Sequence, residues 1–303
     1  MSGLIGQSVR VRVPATTSNL GPGFDTLGIA LKLYNEIDVC LRPNTGVVME
    51  SAASGRGALR MAREAAGLFF KTSGLSPRGF TFGIRGNVPV ARGLGSSVTL
   101  RLGIVGGLNE LLNRPLDRQG LLDMLVELEH HPDNAAPAIH GGFVVAGRGA
   151  RGHVFFRRAL SAGLKFVTVI PEFEVLTSKA RQSLPAEIPF ADAAANANRA
   201  AMLASAFLTG DFKKTGDFFE DRLHQPHRSK MAPQLYPALN AARNAGAIGG
   251  WLSGSGPAIM ALALEREDEV SAAMKAVFQR DGIGCVVRVL GADNRGFVCR
   301  VRR

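Results

Sequence analysis

The chain has 303 residues, of which 46% are hydrophobic and 20% charged, and it carries a formal net charge of +11. That length accommodates two domains of ordinary size, and the lack of any run of about 18 apolar residues argues against a membrane-spanning helix. Cys40, Cys285 and Cys299 are scattered and form no C-x-x-C pair, which favours reduced thiols in a cytoplasmic protein over a disulfide framework or a zinc site. The opening "MSGLIGQSVRVRVPA" has neither a basic stretch nor a long apolar one, so no signal peptide is expected. The basic residues are dispersed, with small clusters at "RRAL" (157–160) and "CRVRR" (299–303), and 7% of residues are aromatic. A generally basic surface is therefore expected, with no dedicated nucleic-acid site.

In chain order, "SVRVRVPA" alternates with period two and predicts a strand with Val9, Val11 and Val13 on one face. "TSNLGPGFD" reads as a Gly/Pro loop, and "IALKLYNEIDVCLRP" as a second strand ending at Pro43. "GALRMAREAAGLFFKTSG" predicts a helix closed by Gly74, and "GFTFGIRGNVP" a strand leading into a glycine loop. Leu102, Val105, Leu108 and Leu112 keep helical spacing over 97–112, and "LDRQGLLDMLVELEHH" predicts the next helix with Asp117 as its N-cap. "APAIHGGFVVAG" has strand character and "GRGARGHVF" is rich in turns. Beyond residue 160 come strand "KFVTVIP", helices within 191–209 and 211–223, strand "GGWLSGSGPAIMALAL", helix "EDEVSAAMKAVFQRDG" and strand "GCVVRVLGA". Strands mixed with helices, without strict βαβ alternation, indicate the α+β class for both halves, with a boundary near 155.

Three segments carry chemistry. "PVARGLGSS", 89–97, runs from a strand into a helix. Its glycines permit positive φ and close backbone approach, and its N–H groups and hydroxyls suit a phosphate or Mg²⁺. It lacks the G-K-[ST] ending of a Walker A loop, and a purely structural turn is the competing reading. "ELEHHPDNAAPAIHGG", 127–142, ends a helix with Glu127 and Glu129 before a proline stop, and hard Mg²⁺ takes such oxygen ligands. Zinc is disfavoured there, because adjacent His130 and His131 diverge on a helix. "WLSGSGPAIMAL", 251–262, reads either as a plain turn or as a second glycine wall over a ligand.

In this order and at these separations the segments resemble the GHMP family of small-molecule kinases. "VPATTSNLGPGFDTLGIAL", "HPDNAAPAIHGG", "TSKARQSLP" and "LSGSGPAIMAL" are similar to the branch that phosphorylates the side-chain hydroxyl of L-homoserine on the route to threonine. The resemblance covers about residues 9–262. It implies a two-domain GHMP kinase fold: a ribosomal protein S5 domain 2-like N-terminal domain, 1–155, holding the phosphate loop, and a ferredoxin-like C-terminal domain, 156–303. It also implies ATP and Mg²⁺ as cofactors, a small amino-acid substrate and a homodimer.

Carried over position by position, Pro89, Arg92, Gly93, Leu94, Gly95, Ser96 and Ser97 would form the phosphate loop, with Ser97 and Glu129 as Mg²⁺ ligands. Asn19 and Asp25 would hold the amino acid, Asp25 by pairing with its ammonium group. Arg181 and Arg228 would clamp its carboxylate, which suits the arginine fork, and Gly254 would line the same site. Asn134 would orient the attacking hydroxyl, with Asp133 the nearest carboxylate available as a base. The chain departs from the family pattern at Val98, Thr99 and Arg101, where small residues are usual, and at His130, where glycine is usual. Gly55, Arg56 and Gly57 also stand where the family has a longer, Asn-containing stretch near adenine. Val98 and Thr99 are expected to crowd the first helical turn, and Arg101 either faces solvent or adds charge near the nucleotide. Two other readings compete: a kinase of this superfamily for another small alcohol, such as mevalonate or a sugar, and a non-catalytic nucleic-acid-binding protein on the same fold. Arg181, Arg228 and Asp25 favour a zwitterion over a neutral sugar, and Ser97 with Glu129 favours a kinase over a nucleic-acid binder.

Overall fold

Alternating valines begin the fold. In the computed structural model, which describes residues 6–50, 55–212 and 215–302, strand β1 (Ser8–Asn19) presents Val9, Val11 and Val13 to a helical layer, all fully buried. Each such side chain stabilises the fold by roughly 1.5–3 kcal/mol relative to exposure. The chain continues through β2 (Gly23–Leu41), β3 (Val47–Met49), α1 (Gly55–Ser73), β4 (Phe80–Gly86), α2 (Ser96–Leu111), α3 (Arg118–Glu129), α4 (Pro132–His140), β5 (Phe143–Gly149) and β6 (Gly152–Arg158). Then follow β7 (Lys165–Pro171), α5 (Thr177–Gln182), α6 (Phe190–Thr209), α7 (Gln225–Arg228) and α8 (Leu235–Asn244). β8 (Gly249–Leu252), β9 (Ile259–Ala263), α9 (Glu267–Arg280), β10 (Cys285–Leu290) and β11 (Val298–Arg302) complete it.

Two sheets organise these elements. A seven-stranded sheet has the order β11-β1-β2-β4-β3, and β5 joins it by pairing with β2 and β6. A four-stranded antiparallel sheet has the order β10-β7-β9-β8. The β7–helices–β8–β9–α9–β10 sequence in that order is the ferredoxin-like pattern expected for the second half. The helical layer on the first sheet shares one core with it, built on Val9, Ile37, Val39, Phe69, Leu102 and Leu125. Trp251, Phe166 and Met260 of the second sheet share a different core with Leu27 and Leu31 of the first, so the two sheets are packed together there. The division expected near residue 155 falls inside β6. The first sheet also takes its edge strand β11 from the far end of the chain, where the sequence shows only a basic cluster.

Several segments differ from expectation. The supposed loop from Thr17 is strand as far as Asn19, because the hydroxyls that suggest a turn find partners inside: Thr17 Oγ1 accepts from Trp251 Nε1 at 2.9 Å and shares a hydrogen bond with Ser253 Oγ at 2.8 Å. "APAIH" is not strand but the body of α4, opened by Pro132 at its first turn; Ala135, Ala136 and Ala138 are fully buried, small enough for the helix to lie close on the sheet. The strand expected over 249–264 is interrupted at 253–258, so it forms the hairpin β8–β9. The helix expected over 211–223 is, among the described residues, only a 3-10 turn at Gly216–Phe219. Asp221 diverts the chain there, its carboxylate accepting from the N–H groups of Leu223, His224 and Gln225 to start α7 instead. The Asp117 cap of α3 is present, accepting from Gly120 N at 2.8 Å.

Helix α3 stops at His130, which sits in the left-handed region at φ 69° and ψ 2°. A residue with a Cβ pays roughly 1–2 kcal/mol there, partly offset against glycine by glycine's greater unfolded-chain entropy. His130→Gly is therefore expected to stabilise the protein by about 0.5–1 kcal/mol, read as a raised Tm. A lowered Tm would show that the imidazole makes a contact that outweighs the strain.

Candidate active site

The glycine loop and α2 show why this sequence makes a cradle. Gly93 and Gly95 have φ of 74° and 69°, and a Cβ on either would lie 2.1 Å from Ser253 O or from Thr16 Oγ1 respectively. No side chain caps the start of α2, so its first N–H groups are free of an internal capping partner, and they sit at the positive end of the helix dipole. That combination binds anionic oxygens. Beside it lies a cavity of about 520 Å³ at the junction of the two sheets. Of the site residues expected from sequence, all line this cavity except Pro89 and Leu94. Leu94 is buried in the core and contributes backbone: its carbonyl accepts from Thr16 N at 3.2 Å. Arg92 lines the cavity, but its guanidinium holds protein carbonyls, Pro171 O at 2.8 Å, Val90 O at 2.9 Å and Glu172 O, and pairs with Glu174 at 3.2 Å. Its role is to fasten the loop to the end of β7.

At the start of α2, Ser97 Oγ donates to Glu129 Oε2 at 2.9 Å. A hydroxyl and a carboxylate side by side, both facing the cavity next to an anion cradle, are the hard oxygen donors that Mg²⁺ takes. The residues present fit that ion. The glycine wall of the third segment closes the cavity from the other domain, where Ser253 Oγ donates to Gly93 O at 2.7 Å and Gly254 N to Ser18 O at 3.3 Å. Thr99 is fully buried, its Oγ1 accepting from Asn35 Nδ2 at 2.9 Å and donating to Ser96 O at 2.8 Å; Val98 is buried in the core. These two fasten the first turn rather than crowd it. Arg101 neither faces solvent nor lines the cavity: NH1 donates to Glu129 Oε1 at 2.6 Å. The stretch 51–54, part of the region compared with the family's adenine-side loop, lies outside the described residues. The wall on that side is apolar, with Ala58, Met61, Ile84 and Leu100.

The charged end of the cavity is built by α5, α7 and the β1–β2 turn. Asp25 has φ 53°, its N–H donates to Asn19 Oδ1 at 3.1 Å, and its carboxylate receives both Arg181 terminal nitrogens at 2.8–3.0 Å. Arg228 is 3% exposed, and among the described residues no carboxylate forms a salt bridge with it. Its NH1 donates to Gly254 O at 2.8 Å, and its Nε has no partner. Burial, ahead of repulsion from Arg181, lowers its pKa to about 10. His224 holds it in place: burial keeps this imidazole neutral, Nε2 donates to Gly21 O at 2.8 Å, and Nδ1 accepts from Arg228 at 3.4 Å. A buried guanidinium facing the cavity suits an anionic ligand group.

Between the two ends sits Asn134, whose Oδ1 accepts from Thr16 Oγ1 at 2.7 Å and whose Nδ2 donates to Ser18 Oγ at 3.0 Å and Asp133 Oδ1 at 3.1 Å. Asp133 is 2% exposed and pairs with His131 Nδ1 at 2.6 Å. Although burial pulls the His131 imidazole down, the Asp133 charge and hydrogen bond outweigh it and raise the pKa to about 9. The same pair lowers the Asp133 carboxyl against the opposing pull of burial, so Asp133 is an ionised acceptor already engaged by His131. A histidine pKa raised on folding adds stability that is full below the unfolded value, near 6.5, and lost as pH rises through about 9. Stability should thus decline from pH 6.5 to 9, and His131→Asn should flatten that decline in denaturant titrations; equal slopes would remove this pair as its source. Sequence reasoning missed His131, Thr16 and Ser18. Only the proximity of the histidine to Asp133 signalled the first, and nothing local signalled the hydroxyls.

Known proteins place this arrangement. The model for the GHMP kinases N terminal domain matches residues 58–142, and the GHMP kinases C terminal model matches 203–280. The homoserine kinase of Moorella thermoacetica is 40% identical over 291 residues, covering 95% of this chain and 98% of that protein. The chain belongs to the GHMP kinase family. The homoserine kinase of Aquifex aeolicus is 37% identical, with 95% of this chain and 98% of that protein covered. The crystal structure of homoserine kinase from Cytophaga hutchinsonii superposes with a TM-score of 0.88 at 30% identity, covering 97% of each chain. This GHMP kinase is thus a two-domain α+β enzyme, and its glycine loop lies within the span matched by the N-terminal family model. Among the described residues no helix is long and apolar enough to cross a membrane.

Proposed function

We propose that this GHMP kinase transfers the γ-phosphoryl group of ATP to the side-chain hydroxyl of L-homoserine, giving O-phospho-L-homoserine. The observation that carries the reading is Arg228, a buried cation with no salt-bridge partner among the described residues, in the same cavity as the Asp25 carboxylate and the glycine loop. An α-amino acid supplies the missing carboxylate to Arg228, with Arg181 beside it, and an ammonium group to Asp25. A neutral sugar satisfies neither charge. The names of the relatives above support the same substrate.

The residues then divide the work. The uncapped start of α2 and the backbone of Gly93–Ser97 hold phosphate oxygens, and Asn19, Asp25, Arg181, Arg228 and Gly254 fix the amino-acid end. Asn134 faces the space between and orients the hydroxyl, its amide held by Thr16, Ser18 and Asp133. Phosphoryl transfer has a loose transition state, so alignment and charge neutralisation accomplish most of the acceleration and no strong base is required. Asp133, paired with His131 and hydrogen-bonded to Asn134, is the carboxylate available to accept the hydroxyl's proton. Ser97 and Glu129 would hold Mg²⁺, which supplies neutralisation of phosphate charge. The family likeness further suggests a cytoplasmic homodimer. The test is a coupled ADP-release screen over homoserine, threonine, serine, mevalonate and galactose. Homoserine should be turned over best, and background-level release with homoserine would overturn the assignment.

A further inference from the structure

Arg101 is the one charged residue in the turn after the phosphate loop. It stands four residues beyond Ser97, so the two side chains share a face of α2. That face meets the end of α3, where Glu129 is clasped from two sides: Ser97 Oγ donates to Oε2 at 2.9 Å, and Arg101 NH1 donates to Oε1 at 2.6 Å. The same NH1 donates to Leu128 O at 3.0 Å, and NH2 lies 3.5 Å from Glu64 on α1. The pair is secluded, with side-chain exposures of 14% for Arg101 and 8% for Glu129. Ser97 and Glu129 line the cavity and Arg101 does not, so the guanidinium sits behind the carboxylate, away from the ligand.

We propose that Arg101 is a positioning residue of the Ser97–Glu129 pair, a resident cation that holds Glu129 in its ligating posture and weakens its affinity for a free divalent ion. The inference rests on the proposed function of Ser97 and Glu129 as metal donors. A secluded carboxylate with no cation is costly, and the ion pair with Arg101 removes that cost without a metal. The same positive charge repels a second cation approaching Oε2, and the low exposure keeps water from screening it. The pair alone then binds a divalent ion poorly, and the ion is retained when phosphate oxygens arrive with it to supply further negative ligands. Small residues at this position, usual in the family pattern, would leave Glu129 with its full charge toward the metal.

The test is Mn²⁺ binding to the full-length protein without nucleotide, followed by electron paramagnetic resonance, for wild type and the variants Arg101→Met, Arg101→Gln, Arg101→Lys and Glu129→Gln. Arg101→Met should bind Mn²⁺ about tenfold more tightly than wild type, because the repulsion is gone. Arg101→Gln keeps a hydrogen-bond donor without charge and should show the same gain, which covers the case in which the methionine variant does not fold. Arg101→Lys retains the cation and should stay near the wild-type affinity. A merely structural arginine would give weaker or unchanged binding in the neutral variants, and that result overturns the proposal. If Glu129→Gln leaves Mn²⁺ binding unaltered, the metal reading of Ser97 and Glu129 falls instead.

Discussion

Arg228→Ala is expected to raise the KM for homoserine by roughly 100-fold or more while leaving the KM for ATP within a few-fold of wild type. The magnitude follows from losing a charge-assisted hydrogen bond in a desolvated site, typically about 2–5 kcal/mol. The free protein should tolerate the change better than such a buried position suggests. Its guanidinium forms no salt bridge among the described residues and one nitrogen is unpartnered, so truncation removes a desolvation cost along with a hydrogen bond to Gly254 O and the more distant attraction of Asp25, Asp133 and Asp221. The discriminating experiment is therefore steady-state kinetics in both substrates alongside thermal unfolding. Equal rises in both KM values, or a collapse of Tm with no selective kinetic effect, would show that Arg228 supports the fold rather than the substrate. Arg181→Ala should act in the same direction but less steeply, because Arg181 is paired with Asp25 and the substrate must displace that partner.

Gly93→Ala should be the most damaging single-methyl change in the molecule's phosphate loop. At φ 74° an alanine costs about 1–2 kcal/mol, and its Cβ would sit 2.1 Å from Ser253 O and 2.9 Å from Gly256 N. Both neighbours are backbone, so no side chain can turn aside, and the loop must part from the glycine wall of the second sheet. A total loss of about 3 kcal/mol or more is expected, together with a large rise in the KM for ATP. Gly67→Ala in α1 supplies the contrast, since nothing lies within 4 Å of its Cβ position. There the same substitution should stabilise by about 0.5–1 kcal/mol. Denaturant titrations of the two variants that agreed in sign would overturn this account of the loop.

Much of this architecture could be read from residue order because burial imposes a period. The valines of β1, the leucines of α2 and the Asp117 cap of α3 each state their element locally. The errors have a common cause in contacts distant along the chain. "APAIH" is apolar enough for a strand, and only the need for small residues against the sheet makes it the helix α4. Thr17 and Ser18 look like turn formers until Trp251, Ser253 and Asn134 supply their partners. The site followed the same rule. Gly93, Gly95, Ser97 and Glu129 were legible through their family likeness, but likeness could not say that Arg92 would hold the carbonyls at the end of β7. Nor could it say that Arg101 would find Glu129, 28 positions away. An unusual residue in a familiar motif shows its purpose only when its partner is in view.

The pairing of β1 with β11 also dictates an order of events during synthesis. Ser8–Arg12 are synthesised long before their partners on one side, Val298–Arg302, which follow only after the intervening chain. Throughout that interval β1 offers a row of free N–H and C=O groups, a template for pairing with another nascent chain. Vectorial growth thus keeps the first sheet without its edge strand while the second is being made, and the sheet closes only once residues 298–302 have emerged.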